Sequence, residues 1–197
     1  MESAFLKALA RPRPDPGGGA AAAHGAALGL ALLAKVVRLE ARRPRTAEGP
    51  GFFWEALLEQ VQRLAETLAL LQEEDVRAYF DLSRARKSGV PGELAAALEA
   101  AVACPLHVMQ RAREGLLLLA QAGARCRPHL VSDLLVAGEL LGAGFRGAHH
   151  IARANLPLLP AGSVRALWTR ELAQALAAAE DTYLKVRAEL QGREPCL

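Results

Sequence analysis

Leu57, Val61, Leu64, Leu68 and Leu71 recur at alternating spacings of four and three. That is the signature of one buried stripe on a helix. Four residues further on, where the stripe calls for another core side chain, stands Asp75; Tyr79 and Leu82 then resume the pattern. Burying a carboxylate is costly unless it is paired, hydrogen-bonded or protonated. Two chemistries are open to Asp75: an ion pair with an Arg from another helix, or proton transfer by a carboxyl whose pKa burial has raised.

Other groups are weighed in the same way. Glu73 lies two residues before Asp75, about 200° round the helix, and can pair with Arg77 at i+4 on the surface. Asp133 follows Ser132 near an expected helix start, where a carboxylate compensates the dipole; its apolar neighbours Leu130, Ala137 and Leu141 leave a site role open. Gly17-Gly18-Gly19 leads into a helix N-terminus, whose free N–H groups can hold an anion or the polar edge of a ligand. No Gly-Lys-Ser/Thr follows, so this is not a P-loop. Cys104-x-x-His107 and Cys126-x-x-His129 have a zinc-like spacing, but Pro105 and Pro128 inside the pairs argue for helix starts, and no metal is expected. His149 and His150 sit about 100° apart on a helix, a poor chelate.

The elements that must position these groups read as helices. The chain has one Ile, four Thr and eleven Val among 197 residues, whereas Ala, Leu, Arg and Glu abound. Short helix 2–10 is followed by a Pro/Gly loop over 11–19, and a long helix is expected over 20–42. A connector covers 43–51, and the Asp75 helix spans 52–86. After a turn come helices over 93–103 and 105–122. Two short helices, 129–141 and 145–156, are expected to split around Gly142 and Gly144. A last helix covers 163–190, with its own stripe of Leu172, Leu176, Ala179, Tyr183, Val186 and Leu190. The fold class is all-α: a bundle of long packed helices forming a single domain over 1–197.

The stretch 17–34 has no formal charge and just reaches membrane-spanning length. Its Ala and Gly content makes a poor lipid-facing surface, and it reads as buried in protein, with no membrane partner. Gly25 and Gly29 permit close helix packing. Long apolar stripes on so small a chain predict a homodimer. The net charge of +3 and the absence of a dense basic run argue against nucleic acid and suit a small anionic ligand. Three cysteines without framework spacing suit a reducing, cytoplasmic setting.

Several of these segments resemble one family in the same order. Pro14-Asp15-Pro16-Gly17-Gly18-Gly19-Ala20 is similar to the Pro-x-Pro-Gly-Gly-Gly-Ser/Ala opening of the cyclodeaminase/cyclohydrolase family. Leu71 to Tyr79 resembles its Leu-x-Asp-x-Asp-Ala-x-Ala-Phe, and Val102 to Leu106 its Ala-Val-x-x-Pro-Leu. Ser132-Asp133 matches its Ser-Asp pair, and Gly147-Ala148 through Asn155-Leu156 its Gly-Ala…Asn-Leu ending. The chain differs in having Glu73 for the first Asp, and Arg127 and Ile151 where Asn is frequent.

The resemblance implies an all-α dimer with a tetrahydrofolate derivative, possibly polyglutamylated, in a crevice between helices at the subunit interface. It implies Asp75 as the catalytic group. Gly17, Gly18, Gly19, Glu73, Ser132, Asp133 and Asn155 would contact the substrate, with no cofactor beyond the folate carrier itself. The implied reaction is conversion of 5-formiminotetrahydrofolate to 5,10-methenyltetrahydrofolate and ammonia. The alternatives are hydrolysis of the methenyl compound to 10-formyltetrahydrofolate, or folate binding without catalysis.

Overall fold

The computed structural model describes residues 4–42 and 51–193. Six α-helices follow one another: α1 (Ala4–Leu9), α2 (Gly18–Ala41), α3 (Gly51–Ser88), α4 (Pro91–Gly123), α5 (Val131–Asn155) and α6 (Ser163–Gln191). Short 3₁₀ turns at Pro128–Leu130 and Leu156–Leu158 bracket α5, and no strand occurs among the described residues. The connector expected over 43–51 lies largely outside them.

The apolar stripe of α3 is buried as expected: Leu57, Val61, Leu64, Leu68, Leu71 and Leu82 all lie in the core. So are Leu172, Ala179, Tyr183, Val186 and Leu190 of α6. Each fully buried aliphatic side chain contributes about 1.5–3 kcal/mol. Helix α2 is the centre of the bundle, packed on α5 and α3 with α4 behind it, while α6 covers α4 and α5. Both α2 and α4 are long and apolar enough to cross a membrane by length and composition, and about half of each such window is buried against the other helices.

Two expected breaks are absent. The helices expected over 129–141 and 145–156 are one, α5, and its glycines exist for packing. A Cβ at Gly144 would come within 2.7 Å of Ala26 Cβ, and one at Gly29 within 2.8 Å of the Ala137 carbonyl oxygen. Gly147 faces Ala22 and Gly18 faces Ile151, so α2 and α5 run antiparallel with their backbones in close approach. Packing gained across that seam outweighs the propensity cost of glycine, about 1 kcal/mol per residue.

Likewise 93–103 and 105–122 form one helix with Pro105 inside it. A proline there removes the N–H that would bond to the carbonyl four residues back, at a cost of about 3 kcal/mol or more. That carbonyl belongs to Ala101, and it accepts a bond from elsewhere: Asn155 Nδ2 donates to it at 2.7 Å. The side chain at the end of α5 thus supplies the donor that Pro105 lacks.

Candidate functional site

The N-terminus of α2 begins on Gly17, whose extended backbone carries no capping side chain. The missing cap comes from α3. Asp75 Oδ2 accepts the Ala20 N–H at 2.8 Å, the third helical position, which an N-cap side chain ordinarily serves. The carboxyl lies so close to the helix start that a Cβ on Gly19 would sit 1.9 Å from Asp75 Oδ1. Glycine at 19 is therefore what allows the approach.

Around this contact is a cleft of about 180 Å³. Its wall is Gly17, Gly18 and Gly19 on one side, Ala78, Tyr79 and Leu82 of α3 on another, and Ala101 and Cys104 of α4 opposite. Ile151 and Asn155 close it from α5, and Asp15 stands at the loop. Among the described residues the lining holds two carboxylates, Asp15 and Asp75, and no Lys or Arg. Burial pushes the Asp75 carboxyl above its ordinary range, and the Ala20 N–H opposes this in part. An acid held in an apolar wall without a cationic partner is poised for proton transfer.

Cys104 is the other ionisable group in the wall. Its Sγ donates to the Leu71 carbonyl at 3.6 Å. Burial, then the charges of Asp75 and Glu74, push the thiol up to about 12. The thiolate is the nucleophile, so this cysteine is inert at neutral pH. Native protein treated with iodoacetamide should leave Cys104 unmodified, and Cys104→Ala should keep turnover within about twofold, since no thiolate participates. Rapid labelling, or loss of turnover in the Ala variant, would contradict that reading.

The structure brings Asp75, Gly17, Gly18, Gly19 and Asn155 together in one cleft. Glu73 points away, exposed on the far side of α3. Ser132 and Asp133 lie at the opposite end of α5 from Ile151 and Asn155, roughly 30 Å along the helix. There Asp133 pairs with Lys35 Nζ at 2.8 Å. Tyr79, expected in the core, is 45% exposed, because α3 runs on past the start of α2 and has no helix there to cover that face. Cys104, Asp15 and Ile151 line the cleft without having been marked as site residues by spacing.

One buried charge carried a signal of the same kind as Asp75. Leu30, Leu33 and Val37 continue to Glu40, which is buried at the end of α2. Its Oε1 accepts from Arg127 Nε at 2.8 Å and from the Arg127 N–H at 3.2 Å. Arg127 thus ties the entry of α5 to α2. Among the described residues no three His, Cys, Asp or Glu side chains form a metal site. A larger open groove of about 430 Å³ lies between α3 and α4, where Arg63 and Arg111 are matched by Glu59 and Glu114. It contains none of the motif residues.

The family model described as formiminotransferase-cyclodeaminase matches residues 2–174. The chain belongs to this family. A methenyltetrahydrofolate cyclohydrolase from Methylorubrum extorquens is 29% identical over 153 residues, which cover 73% of each protein. The crystal structure of formiminotetrahydrofolate cyclodeaminase from Thermotoga maritima superposes with a TM-score of 0.87 at 27% identity, covering 98% of this chain and 97% of that one. The cyclodeaminase fold is thus shared over almost the whole of this chain.

Proposed function

We propose that the protein converts 5-formiminotetrahydrofolate to 5,10-methenyltetrahydrofolate and ammonia, with Asp75 moving the proton. The observation that carries this is the cleft itself: a carboxyl raised by burial, in a wall whose described residues include two carboxylates and no cation. Such a wall favours a cationic reacting group. The protonated formimino group is an amidinium cation, and the methenyl product is cationic too.

In this reading N10 attacks the formimino carbon and forms a tetrahedral centre bonded to N5, N10 and the amino nitrogen. Asp75 takes the proton from N10 and delivers it to the amino nitrogen, which leaves as ammonia. The C=N bond of the methenyl bridge forms as the C–NH₃ bond breaks, and the positive charge remains on the folate. A single carboxyl whose pKa burial raises serves both transfers. Gly17, Gly18 and Gly19 leave space at the backbone for the pterin or its linker.

The sequence relation to a cyclohydrolase favours a second reaction at the same site. There water attacks the methenyl carbon as Asp75 takes one of its protons; Asp75 returns that proton to N5 as the C–N5 bond breaks, and the remaining hydroxyl proton leaves to solvent as the formyl C=O forms, giving 10-formyltetrahydrofolate. The absorbance of methenyltetrahydrofolate, followed from each substrate with purified protein, separates the two. It rises only for the deaminase and falls faster than the buffer blank only for the hydrolase. We assign the reaction to the cytoplasm, a setting that suits Cys104 and Cys126 as free thiols.

Binding is tested apart from turnover. Reduced folate at a hundredfold excess over Kd should stabilise the native state by about 2.7 kcal/mol. For a chain of this size that raises Tm by roughly 5–10 °C. Gly18→Val should abolish the shift, because a side chain there meets Ile151 Cδ1 at 2.9 Å or less and narrows the cleft. No shift with any reduced folate would overturn the folate reading. A shift without turnover would assign the protein to folate binding alone.

A further inference from the structure

Asp15 stands between two prolines in the loop that enters α2, half-buried, and lines the cleft. The loop doubles back there: a Cβ on Gly17 would lie 3.3 Å from the Pro14 carbonyl oxygen, so Asp15 is held beside the glycine run. Among the described residues its carboxylate joins no ion pair and accepts no hydrogen bond. Asp75 is committed to the Ala20 N–H and, in the mechanism above, to the proton. Asp15 has neither duty. The family's opening leaves position 15 free, so an aspartate there belongs to this chain and not to the motif.

The other polar groups of the cleft divide unevenly. Asn155 Nδ2 is spent on the Ala101 carbonyl, and Cys104 Sγ on that of Leu71. Acceptors are left over: both oxygens of Asp15, Oδ1 of Asp75 and Oδ1 of Asn155. The Tyr79 hydroxyl can act either way. The backbone supplies a donor in the Gly18 N–H, the first of α2, which has no acceptor within its helix; Gly18 is exposed. Along the chain from Asp15 the wall therefore reads acceptor, acceptor, donor. Next comes Gly19, where Asp75 Oδ1 makes its close approach.

One part of a folate carries the complementary edge. On the pterin ring the 2-amino group, N3–H and the 4-oxo oxygen lie in a row as donor, donor and acceptor, and N5 follows on the same side of the ring. The other end of the molecule carries carboxylates, which Asp15 and Asp75 repel. A cleft of about 180 Å³ is smaller than the roughly 300–1,000 Å³ that encloses a whole drug-sized ligand, so it takes one ring system and leaves the tail outside.

We infer that Asp15 accepts the 2-amino and N3–H donors of the pterin ring, while the Gly18 N–H donates to the 4-oxo oxygen. A carboxylate meets two parallel donors with both of its oxygens. The contact makes Asp15 a specificity-determining residue that takes no proton, and it sets N5 beside Asp75, where the one-carbon group reacts. The assignment rests on the folate reading above.

The test is a cycle of two ligands and three proteins, read by titration calorimetry. The ligands are 5-formyltetrahydrofolate and its counterpart with methyl in place of the 2-amino group. The parent should bind the methyl compound about 10–100-fold more weakly, the loss of a hydrogen bond to a charged group. Asp15→Ala should weaken 5-formyltetrahydrofolate by a similar factor and bind the two compounds within about threefold of each other, because the two changes remove one interaction. Asp75→Asn, which removes the other charge of the cleft, should keep the parent's preference for the amino compound. A parent without that preference, an Asp15→Ala protein that keeps it, or an Asp75→Asn protein that also loses it would overturn the contact and leave the folate reading standing. A parent that binds neither compound would overturn the folate reading, and the contact with it.

Discussion

Asp75→Asn loses turnover by about 10²–10⁴-fold, the range for removing a general acid/base, and folds at least as well as the parent. The amide oxygen still accepts the Ala20 N–H, so the cap on α2 survives, while the charge whose burial is unfavourable disappears. The sign of the pH dependence follows. The carboxyl has a higher pKa in the folded than in the unfolded chain, so its protonated form favours folding. That contribution is complete below the unfolded value and is lost as pH rises through the folded one. The Tm advantage of the Asn variant over the parent should therefore be smallest in acid and grow as pH rises from about 4, then level off once Asp75 is fully ionised. An advantage that shrinks over that range would mean that the carboxylate is stabilising and that its folded pKa is not raised. Full activity with either folate would remove Asp75 from the mechanism.

Gly19→Ala is the second large effect. The methyl group would overlap Asp75 Oδ1 at 1.9 Å. Either the carboxyl swings away and gives up the Ala20 bond, or α2 shifts on α3. Overpacking of this kind costs about 1–3 kcal/mol, and a displaced carboxyl loses turnover of about a hundredfold, since small errors in placement weigh heavily. Gly25→Ala is the control, because its Cβ meets open space. The clash is with one side chain, so the double variant Gly19→Ala/Asp75→Ala should be more stable than the sum of the two single losses predicts. Additive losses in thermal unfolding would show that the glycine serves the turn and not the carboxyl.

Asp75 was legible in the sequence because its neighbours are periodic: a polar residue in a four-three stripe marks its own anomaly. The same test finds Glu40, where the partner proved to be Arg127. The continuity of the helices through Pro105 and through Gly142 and Gly144 is not legible from local chemistry alone. Proline and glycine do disfavour helix, but Asn155 restores the lost bond at one, and close packing repays the other, Gly144 against Ala26 of α2 and Gly142 against Tyr183 of α6. The exposure of Tyr79 is not legible either, because a stripe says which face is apolar, not how far the neighbouring helix extends. The separation of Asp133 from Asp75 was not legible, since motifs in correct order carry no distance.

The hydrogen bond from Asn155 to Ala101 has a consequence for how chains of this fold can vary. Positions 105 and 155 are fifty residues apart, in different helices, yet both bear on one acceptor, the Ala101 carbonyl that Pro105 leaves without its helical donor and Asn155 bonds. Proline at 105 creates a carbonyl that asks for a donor, and an amide at 155 answers it. The two residues should therefore covary: a relative that loses the amide should also regain a backbone N–H at 105, whereas exchange of Pro105 alone leaves the amide free to turn toward the cleft. Read this way, the Pro-Leu step and the Asn-Leu ending are a single word of the sequence, written in two places and spelled correctly only when both letters agree.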